Sequence, residues 1–376
     1  MIRRLDTSLL LSIITLMGIG LVQVYSSSFI FATESFGDGL HFFERQLLFT
    51  VLSFFVMIVI ALTPWQYMER WGWLLWMGAA GLTALTFVPG FGIRVGGAVR
   101  WLNVGFGQRF EPSELLKITF CFLFATYSFK KTHWLEGFEW PVKMAVLCIP
   151  LLMLLKQPDF GSFALIVCVG LGLLFAFGLR WRYIIAALAI AIPAFYILVM
   201  SVPYRRARVL GFLDPWSDPE SKGFQVIQSM LSFHSGGLTG VGLGQGQGKL
   251  FFLPEAHTDF TLAVLGEEMG FVGFILLMFL YGFIVFKGFQ IAIRTGSPFR
   301  KAVALGLTMT FALTVFINVG VVLGILPTKG LTLPFLSYGG SSLLTKSLMF
   351  GFLLAIERTD REEKSKISSH FQAKWS

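Results

Sequence analysis

The residues best suited to chemistry lie in a short polar stretch that precedes a long apolar run. Glu255, His257 and Asp259 occur within LPEAHTDF, directly before that run. On residue types alone, we expect Asp259 to cap the following helix, because an aspartate there accepts hydrogen bonds from free backbone N–H groups. The alternative is a general base at the helix mouth. The role of His257 stays open between an interfacial residue and a proton-transfer partner.

A second charged pair opens another apolar run, in RFEPSELLK. Pro112 suits the first turn of a helix. Glu114 and Lys117 are three residues apart, so they share a helix face and are predicted to pair. Two roles remain open for the pair: an internal ion pair that makes a buried lysine tolerable, or the charged lining of a cavity.

A third cluster is basic. Arg205, Arg206 and Arg208 follow another apolar run. They suit an anion site, such as one for a phosphate group. An interfacial basic cluster paired with Asp214 and Asp218 is an equally good interpretation.

The glycine-rich segment Ser235 to Leu250 is not a nucleotide-binding loop. Leu243 stands where that loop requires glycine, and Leu250 stands where it requires serine or threonine. We therefore expect these glycines to allow tight turns and close packing. Glu267 and Glu268, further along, are predicted to form a buried hydrogen-bonded pair that fixes helix packing.

Composition indicates which elements must position these residues. The chain has 376 residues, of which 55% are hydrophobic and only 14% charged, and its mean hydropathy is +0.73. Soluble chains carry about 25% charged residues, so this one requires lipid as its solvent. The net charge of +9 is better explained by topology control than by nucleic-acid binding. The three cysteines lie in apolar runs without metal-ligand spacing, and nothing indicates a disulfide.

We predict an all-α polytopic transmembrane bundle of about ten spans, since each crossing needs about 20 apolar residues. The expected helices are 8–28, 46–63, 71–89, 113–129, 142–156, 159–178, 182–202, 259–286, 302–326 and 337–356. Lys and Arg in the alternate short loops put both termini in the cytoplasm. Residues 1–376 form one membrane domain, with a large extracytoplasmic loop at 203–258 and a cytoplasmic tail at 357–376.

The polar breaks between helices are all predicted on the outer side. They include residues 90–113, the QPDFGS break at 157–162, and the Pro- and Gly-rich stretch from Leu326 to Leu344. Residues 223–233 have apolar side chains at helical spacing, which predicts a short amphipathic helix at the membrane surface. Packing pairs alone would not favour one leaflet, so the outer ends of the helices are the candidate site.

These segments resemble the SEDS family (shape, elongation, division and sporulation), the family of FtsW and RodA. The similar stretches are GGAVRWLNVGFGQRFEPSELLK, QPDFGS, FLDPWSDP, GFQVIQS, GGLTGVGLGQGQGKLFFLPEAHTDF, GEEMG and LPTKGLTLPFLSYGGSSLL. They extend from about Gly96 to Leu344. LDPWSDP and TKGLTLPFLSYGGSS are closer to the division-type members than to the elongation-type members.

The resemblance implies a peptidoglycan glycosyltransferase that polymerises lipid II on the outer face of the cytoplasmic membrane, with a class B penicillin-binding protein as partner. It replaces the capping role of Asp259 with that of the catalytic base. A divalent cation, Mg or Mn, is a possible cofactor. The implied substrate-binding residues are Arg100, Trp101, Glu114, Lys117, Asp159, Arg205, Arg206, Arg208, His257, Lys329, Ser337 and Ser341.

Three alternatives remain at this point. A transporter or lipid II flippase would also use broken helices and buried charges, but it predicts polar residues throughout the bilayer midplane. A non-enzymatic division scaffold would leave the apposed outer charges without a role. An elongation-type polymerase would perform the same reaction during growth of the cell wall rather than at the septum.

Overall fold

The computed structural model describes residues 5–95, 98–105, 108–129, 140–201, 206, 209, 211–219, 223–249, 253–328 and 330–375. Most of them are helical. In chain order, the α-helices are α1 (Thr7–Phe36), α2 (His41–Leu62), α3 (Trp65–Leu85), α4 (Pro112–Phe129), α5 (Trp140–Lys156), α6 (Phe160–Ala176), α7 (Trp181–Met200), α8 (Phe224–Gly236), α9 (Thr261–Arg294), α10 (Pro298–Val322) and α11 (Gly340–Trp375).

Four of these helices are long and apolar enough to cross a membrane: α1, α2, α9 and α10. Shorter apolar helical stretches are Ala145–Lys156, Phe160–Ala176 and Trp181–Ile190. The chain is therefore an integral membrane protein of mainly helical structure. The expected helix at 223–233 is confirmed as α8, and the expected break at 157–162 separates α5 from α6.

Helix α1 is longer than the predicted range 8–28, because its last turns contain polar residues. α1 begins after Asp6, whose carboxylate accepts hydrogen bonds from the N–H groups of Ser8 (2.9 Å) and Leu9 (3.1 Å). It continues to Phe36 and ends at Gly37, which adopts a left-handed conformation with φ 72°. Ser26, Ser27 and Ser28, at the end of the predicted range 8–28, are buried within α1.

Residues 90–113 contain a feature that the all-α prediction did not include. They form a three-stranded antiparallel sheet of β1 (Gly92–Val95), β2 (Ala98–Gly105) and β3 (Gln108–Phe110), with β2 in the centre. The alternating pattern of the strands is short and interrupted by glycines, so it gave only a weak strand signal. The sheet leads directly into α4.

One continuous apolar core joins the helices, with Trp76, Phe122, Phe311 and Phe350 among its fully buried side chains. Close approach of backbones matters more in lipid than burial of apolar area, because lipid is itself apolar. α2 and α11 pack closely. A side chain at Gly340, where α11 begins, would lie 2.8 Å from the ring of Phe49. The small residues of the GGSS segment thus allow α11 to approach α2 closely.

Polar contacts tie the helices together at one end of the bundle, which we call the Asp6 end. Asp6 before α1 pairs with Lys287 of α9 at 3.2 Å and with Arg361 of α11 at 3.8 Å. Arg300 of α10 makes a two-pronged contact with Glu363 of α11, at 2.9 and 2.6 Å. The candidate site residues lie at the opposite ends of these helices, which we call the Asp259 end.

Candidate active site

Asp259 lies two residues before α9, where the chain emerges from the loop. The N-terminal capping position belongs to Phe260, and no side chain caps the helix there. The expectation that Asp259 is a helix cap is therefore wrong. Its carboxylate instead faces the backbone of Gly330, where an added Cβ would come within 2.9 Å of Asp259 Oδ2. A partly exposed carboxylate without a capping duty can exchange protons with a bound molecule.

Asn318 fixes the backbone on both sides of that carboxylate. Its side-chain nitrogen donates to the carbonyl of Asp259 at 3.1 Å and to the carbonyl of Leu331 at 2.5 Å. Asn318 is 2% exposed. One amide group thus joins the segment before α9 to the loop between α10 and α11, so Asp259 and Gly330 are held against each other.

His257 lies in an aromatic surrounding next to Asp259. Its ring stacks on Phe31, with centroids 5.3 Å apart, and lies 4.9 Å from the ring of Phe42. Its carbonyl accepts a hydrogen bond from the N–H of Tyr338 at 2.9 Å. Burial lowers the pKa of His257 from its usual 6.5, against the opposing effect of Glu255. His257 is therefore uncharged at neutral pH and fixes the loop mainly through packing.

Glu114 and Lys117 form the predicted ion pair at the start of α4. A third member, which was not predicted, joins them from α11: Lys346 donates to the other oxygen of Glu114 at 2.7 Å. All three side chains are buried. A lone lysine in an apolar run is a candidate functional residue. Its position in the last apolar run could therefore have identified Lys346 from the sequence. Only the fold, however, could show that it shares the carboxylate of Glu114.

Hydroxyl groups connect the residues at the start of α4 to the neighbouring elements. Ser113 donates to Glu111 at 2.9 Å, and its hydroxyl lies 3.3 Å from that of Ser162 in α6. Ser341 of α11 donates to the carbonyl of Arg109 at 2.9 Å and accepts from the N–H of Glu111 at 3.4 Å. The sheet, α4, α6 and α11 therefore meet at one polar centre.

Arg100 and Asp159 are brought to the same place by β2 and the break before α6. Arg100 donates to the carbonyls of Gln157 at 3.3 Å and Pro158 at 2.6 Å. Asp159 caps α6 by accepting from the N–H of Ser162 at 3.2 Å. Trp101, next along β2, lies opposite Ile93 of β1.

The remaining predicted residues are placed less centrally. The hydroxyl of Ser337 accepts from the N–H of Leu333 at 3.0 Å, within the loop that precedes α11. Arg206 is exposed. Arg205, Arg208 and Lys329 lie outside the described residues.

Glu267 and Glu268 confirm the expected buried pair, although each has its own set of partners. Glu268 pairs with Lys249 at 2.7 Å and accepts from Ser26 of α1 at 2.6 Å. Glu267 accepts from the N–H groups of Gln247 at 2.8 Å and Gly248 at 3.0 Å. Lys249, which was not predicted, thus anchors the glycine-rich loop to α1 and α9.

The chemistry available at the Asp259 end is acid–base and electrostatic. The partly exposed carboxylate of Asp259 lies just before the first residue of α9, and the buried cations Lys117 and Lys346 lie near the starts of α4 and α11. Across the described ranges, no group of three or more His, Cys, Asp or Glu side chains is arranged to hold a metal ion. The carboxylate of Asp259 and the buried cations suit proton transfer and the binding of a charged substrate.

Known proteins share this sequence and fold. A family model described as "Cell cycle protein" (FTSW_RODA_SPOVE) matches residues 7–362. The probable peptidoglycan glycosyltransferase FtsW of Geobacter metallireducens is 42% identical over 357 residues, which cover 94% of this chain and 95% of that protein. The protein of the same description from Trichlorobacter lovleyi is 40% identical over 354 residues, covering 93% and 92%.

Two solved structures have the same fold. One is described as "Structural coordination of polymerization and crosslinking by a peptidoglycan synthase complex"; its chain has a TM-score of 0.75 at 29% identity, covering 95% of this chain and 98% of its own. The other is the rod shape determining protein RodA of Thermus thermophilus, with a TM-score of 0.68 at 24% identity, covering 94% and 97%. Since the family model and the relatives span nearly the whole sequence, the chain belongs to the FtsW/RodA/SpoVE family of cell cycle proteins, which is the SEDS family.

Proposed function

We propose that this protein is a peptidoglycan glycosyltransferase that polymerises lipid II during septal wall synthesis. The observation that carries the proposal is the position of Asp259: Phe260 takes the capping position, Asn318 holds the Asp259 backbone, and the Asp259 carboxylate faces Gly330. The relatives described as peptidoglycan glycosyltransferases cover more than nine-tenths of the chain and support the same conclusion.

In the proposed reaction, Asp259 takes the proton from the 4-hydroxyl group of the acceptor sugar. The resulting oxygen attacks the anomeric carbon of the donor chain, and the bond from that carbon to the pyrophosphate oxygen breaks. Undecaprenyl pyrophosphate leaves with the bonding electron pair, and the glycan grows by one disaccharide unit. A positioned base contributes typically about 10²–10⁴-fold to such a step.

The leaving pyrophosphate requires positive charge nearby. Lys117 and Lys346 both pair with the carboxylate of Glu114, which brings two buried ammonium groups together. The carboxylates of Glu111 and Asp159 lie nearby. Arg100 is only half-buried and lies next to the chain at Asp159. We propose that these groups, with Arg205, Arg206, Arg208 and Lys329, attract and stabilise the pyrophosphate, with or without a divalent cation.

The proposed orientation puts the Asp259 end outside the cytoplasmic membrane and both termini inside, with about ten crossings. The Asp6 end carries Arg300, Lys287 and Arg361, in agreement with the tendency of basic residues to remain cytoplasmic. Lipid II presented at the outer leaflet would then reach Asp259 directly.

The proposed partner is a class B penicillin-binding protein, which would crosslink the glycan made here. The structural relative at 29% identity comes from a complex described as coordinating polymerization and crosslinking, and this supports the pairing.

Replacement of Asp259 by asparagine tests the catalytic role. The variant keeps the size and polarity of the side chain but cannot take a proton, so we expect glycan synthesis from lipid II to fall by about 10²–10⁴-fold. The assay uses purified protein with its partner and resolves glycan strands on a gel, with and without EDTA. Glu255→Gln, an exposed change in the same loop, is the matched control and should remain active. Full activity of Asp259→Asn would exclude Asp259 as the base, and lipid II transport without polymer would favour a flippase.

A further inference from the structure

A polar pocket of about 440 Å³ lies beside α8, away from the Glu114 triad, and the proposed reaction does not use it. It is bounded by α8, the glycine-rich loop and the first turns of α9. Its polar side chains are Gln228, Ser232 and Ser235 from α8, Gln245 and Gln247 from the loop, and Glu267 from α9.

The three carboxamides are available to a ligand. The side chains of Gln228, Gln245 and Gln247 make no hydrogen bond to any residue that the structure describes, and Gln245 and Gln247 are exposed. A carboxamide both donates and accepts hydrogen bonds. Three of them around one pocket suit a ligand that carries many neutral donors and acceptors, as the hydroxyl and acetamide groups of a sugar do.

Glu267 determines which ligands are excluded. Its carboxylate is 3% exposed, and two backbone N–H groups hold it at the pocket wall. None of the described lining residues is basic. With no basic side chain among the described lining residues, the buried carboxylate disfavours phosphate and pyrophosphate, whereas it accepts hydrogen bonds from hydroxyl groups. The ligand is thus neutral at this point rather than the lipid-linked pyrophosphate.

Two apolar residues complete the pocket. Leu231 and Val241 line it, and both are more than two-fifths exposed. Their exposed surfaces can pack against the C–H face of a sugar ring, which buries apolar area on both sides.

The pocket is separate from Asp259 but lies along the same chain. Glu267 follows Asp259 by eight residues, which corresponds to about 12 Å along a helix. A strand bound there would extend beyond the reacting sugar.

We propose that this pocket is a saccharide subsite that holds the neutral sugar rings of the growing glycan strand. This inference rests on the proposed function for its biological ligand, although sugar binding can be measured without turnover. The subsite would retain the strand between successive additions, so its loss would shorten the product without changing the chemical step.

Binding is tested with the full chain in lipid nanodiscs and the β-1,4-linked tetramer of N-acetylglucosamine as the probe. Gln228→Ala and Gln245→Ala should each weaken binding about fivefold, the loss expected for one hydrogen bond of ordinary strength. Gln225→Ala is the matched control, because Gln225 lies on the same helix and does not line the pocket. Parallel titrations use the stem pentapeptide and undecaprenyl pyrophosphate. Binding of the peptide alone, of the pyrophosphate alone, or of no probe overturns the proposal.

Strand length gives an independent measurement. Gln228→Ala should release shorter glycan strands for the same amount of lipid II consumed, whereas Gln225→Ala should give wild-type lengths. Unchanged lengths with an active enzyme would overturn the subsite and leave the proposed function intact. Wild-type protein that binds the tetramer in a Gln228-dependent way but makes no glycan would instead contradict the proposed function alone.

Discussion

Asn318 positions the proposed catalytic base, Asp259, although Asn318 takes no part in the reaction itself. Its single amide nitrogen serves two carbonyls, those of Asp259 and Leu331. Buried carbonyls that lose their donor cost about 1–3 kcal/mol in stability. More importantly, Asp259 would lose its fixed position relative to Gly330, and small displacements of a catalytic group reduce rate strongly.

Asn318→Leu should therefore lower kcat for glycan synthesis by about 10–100-fold, with a smaller change in KM. Thr314→Val is the control: Thr314 lies one turn earlier on α10 and donates only to the carbonyl of Thr310 within the helix. The control variant is expected to lose stability without a matching loss of kcat. Equal losses of kcat in both variants would show that Asn318 acts only on folding.

Glu111 makes stability dependent on pH. Burial, followed by the nearby carboxylates of Asp159 and Glu114, raises the pKa of Glu111 from 4.5 to about 7. Between these two values the folded protein binds a proton that the unfolded chain releases, so stability falls as pH rises from 4.5 to 7. Glu111→Gln should flatten the pH dependence of the free energy of unfolding across this window, by an amount on the order of 1 kcal/mol. An unchanged slope would contradict this assignment.

For individual residues, sequence spacing predicted the pairs that lie within one helix turn but not the pairs between distant segments. Glu114 and Lys117 pair as their spacing of three residues required. Lys346 lies 232 residues from Glu114 in the chain, and no periodicity connects the two. The capping role of Asp259 was wrong because helix propensity could not show that α9 starts two residues later.

Among the elements, α9 contains the most informative irregularity. Gly270 has φ 66° and ψ −167°, which breaks the helix into two parts. The glycine-rich loop fills the break: Val241 N–H donates to the Glu267 carbonyl at 3.0 Å, and Phe271 N–H donates to the Gly237 carbonyl at 2.9 Å. The loop thus supplies the hydrogen bonds that the helix loses, so the break is stable.

Gly270→Ala should destabilise the protein by at least about 2 kcal/mol, because a side chain is strained at this φ. Its Cβ would also overlap the Gly240 nitrogen and the Leu238 carbonyl. Gly282→Ala is the matched control in the same helix, where an added Cβ meets nothing within 4 Å. Thermal unfolding monitored by fluorescence compares the two. Equal melting temperatures would mean that the break is not required.

The sequence predicted the positions of the helices better than it predicted the helix break at Gly270 or the sheet between α3 and α4. Apolar runs located ten of the helices, amphipathic spacing located α8, and Pro112 correctly began α4. The break at Gly270 was not predicted, because a single glycine within a long helical pattern does not by itself indicate a break. The sheet was missed because its residues were interpreted as an irregular loop, and its pairing depends on contacts between separate strands.

The whole molecule has two polar ends with different composition, which leads to a prediction about orientation. With the native cysteines replaced by alanine, Thr239→Cys near the Asp259 end and Ser365→Cys in α11 beyond the Asp6 contacts provide two exposed reporters. In intact cells, a membrane-impermeant maleimide should label residue 239 and not residue 365. After lysis, both should be labelled. The reverse pattern in intact cells would place the candidate site in the cytoplasm.

The contacts that tie α1 to α9 have a further consequence. Asp6 binds Lys287 at one end, and Ser26 binds Glu268 at the other. The twenty residues from Asp6 to Ser26 span about 30 Å, close to the thickness of a bilayer's hydrocarbon core. The polar contacts at the two ends therefore set the length of the apolar segment that α1 and α9 present to lipid, because polar groups resist entry into lipid. In a thinner or thicker membrane, the surrounding acyl chains must stretch or compress to meet the protein, so membrane thickness would bias where along the cell envelope this enzyme accumulates.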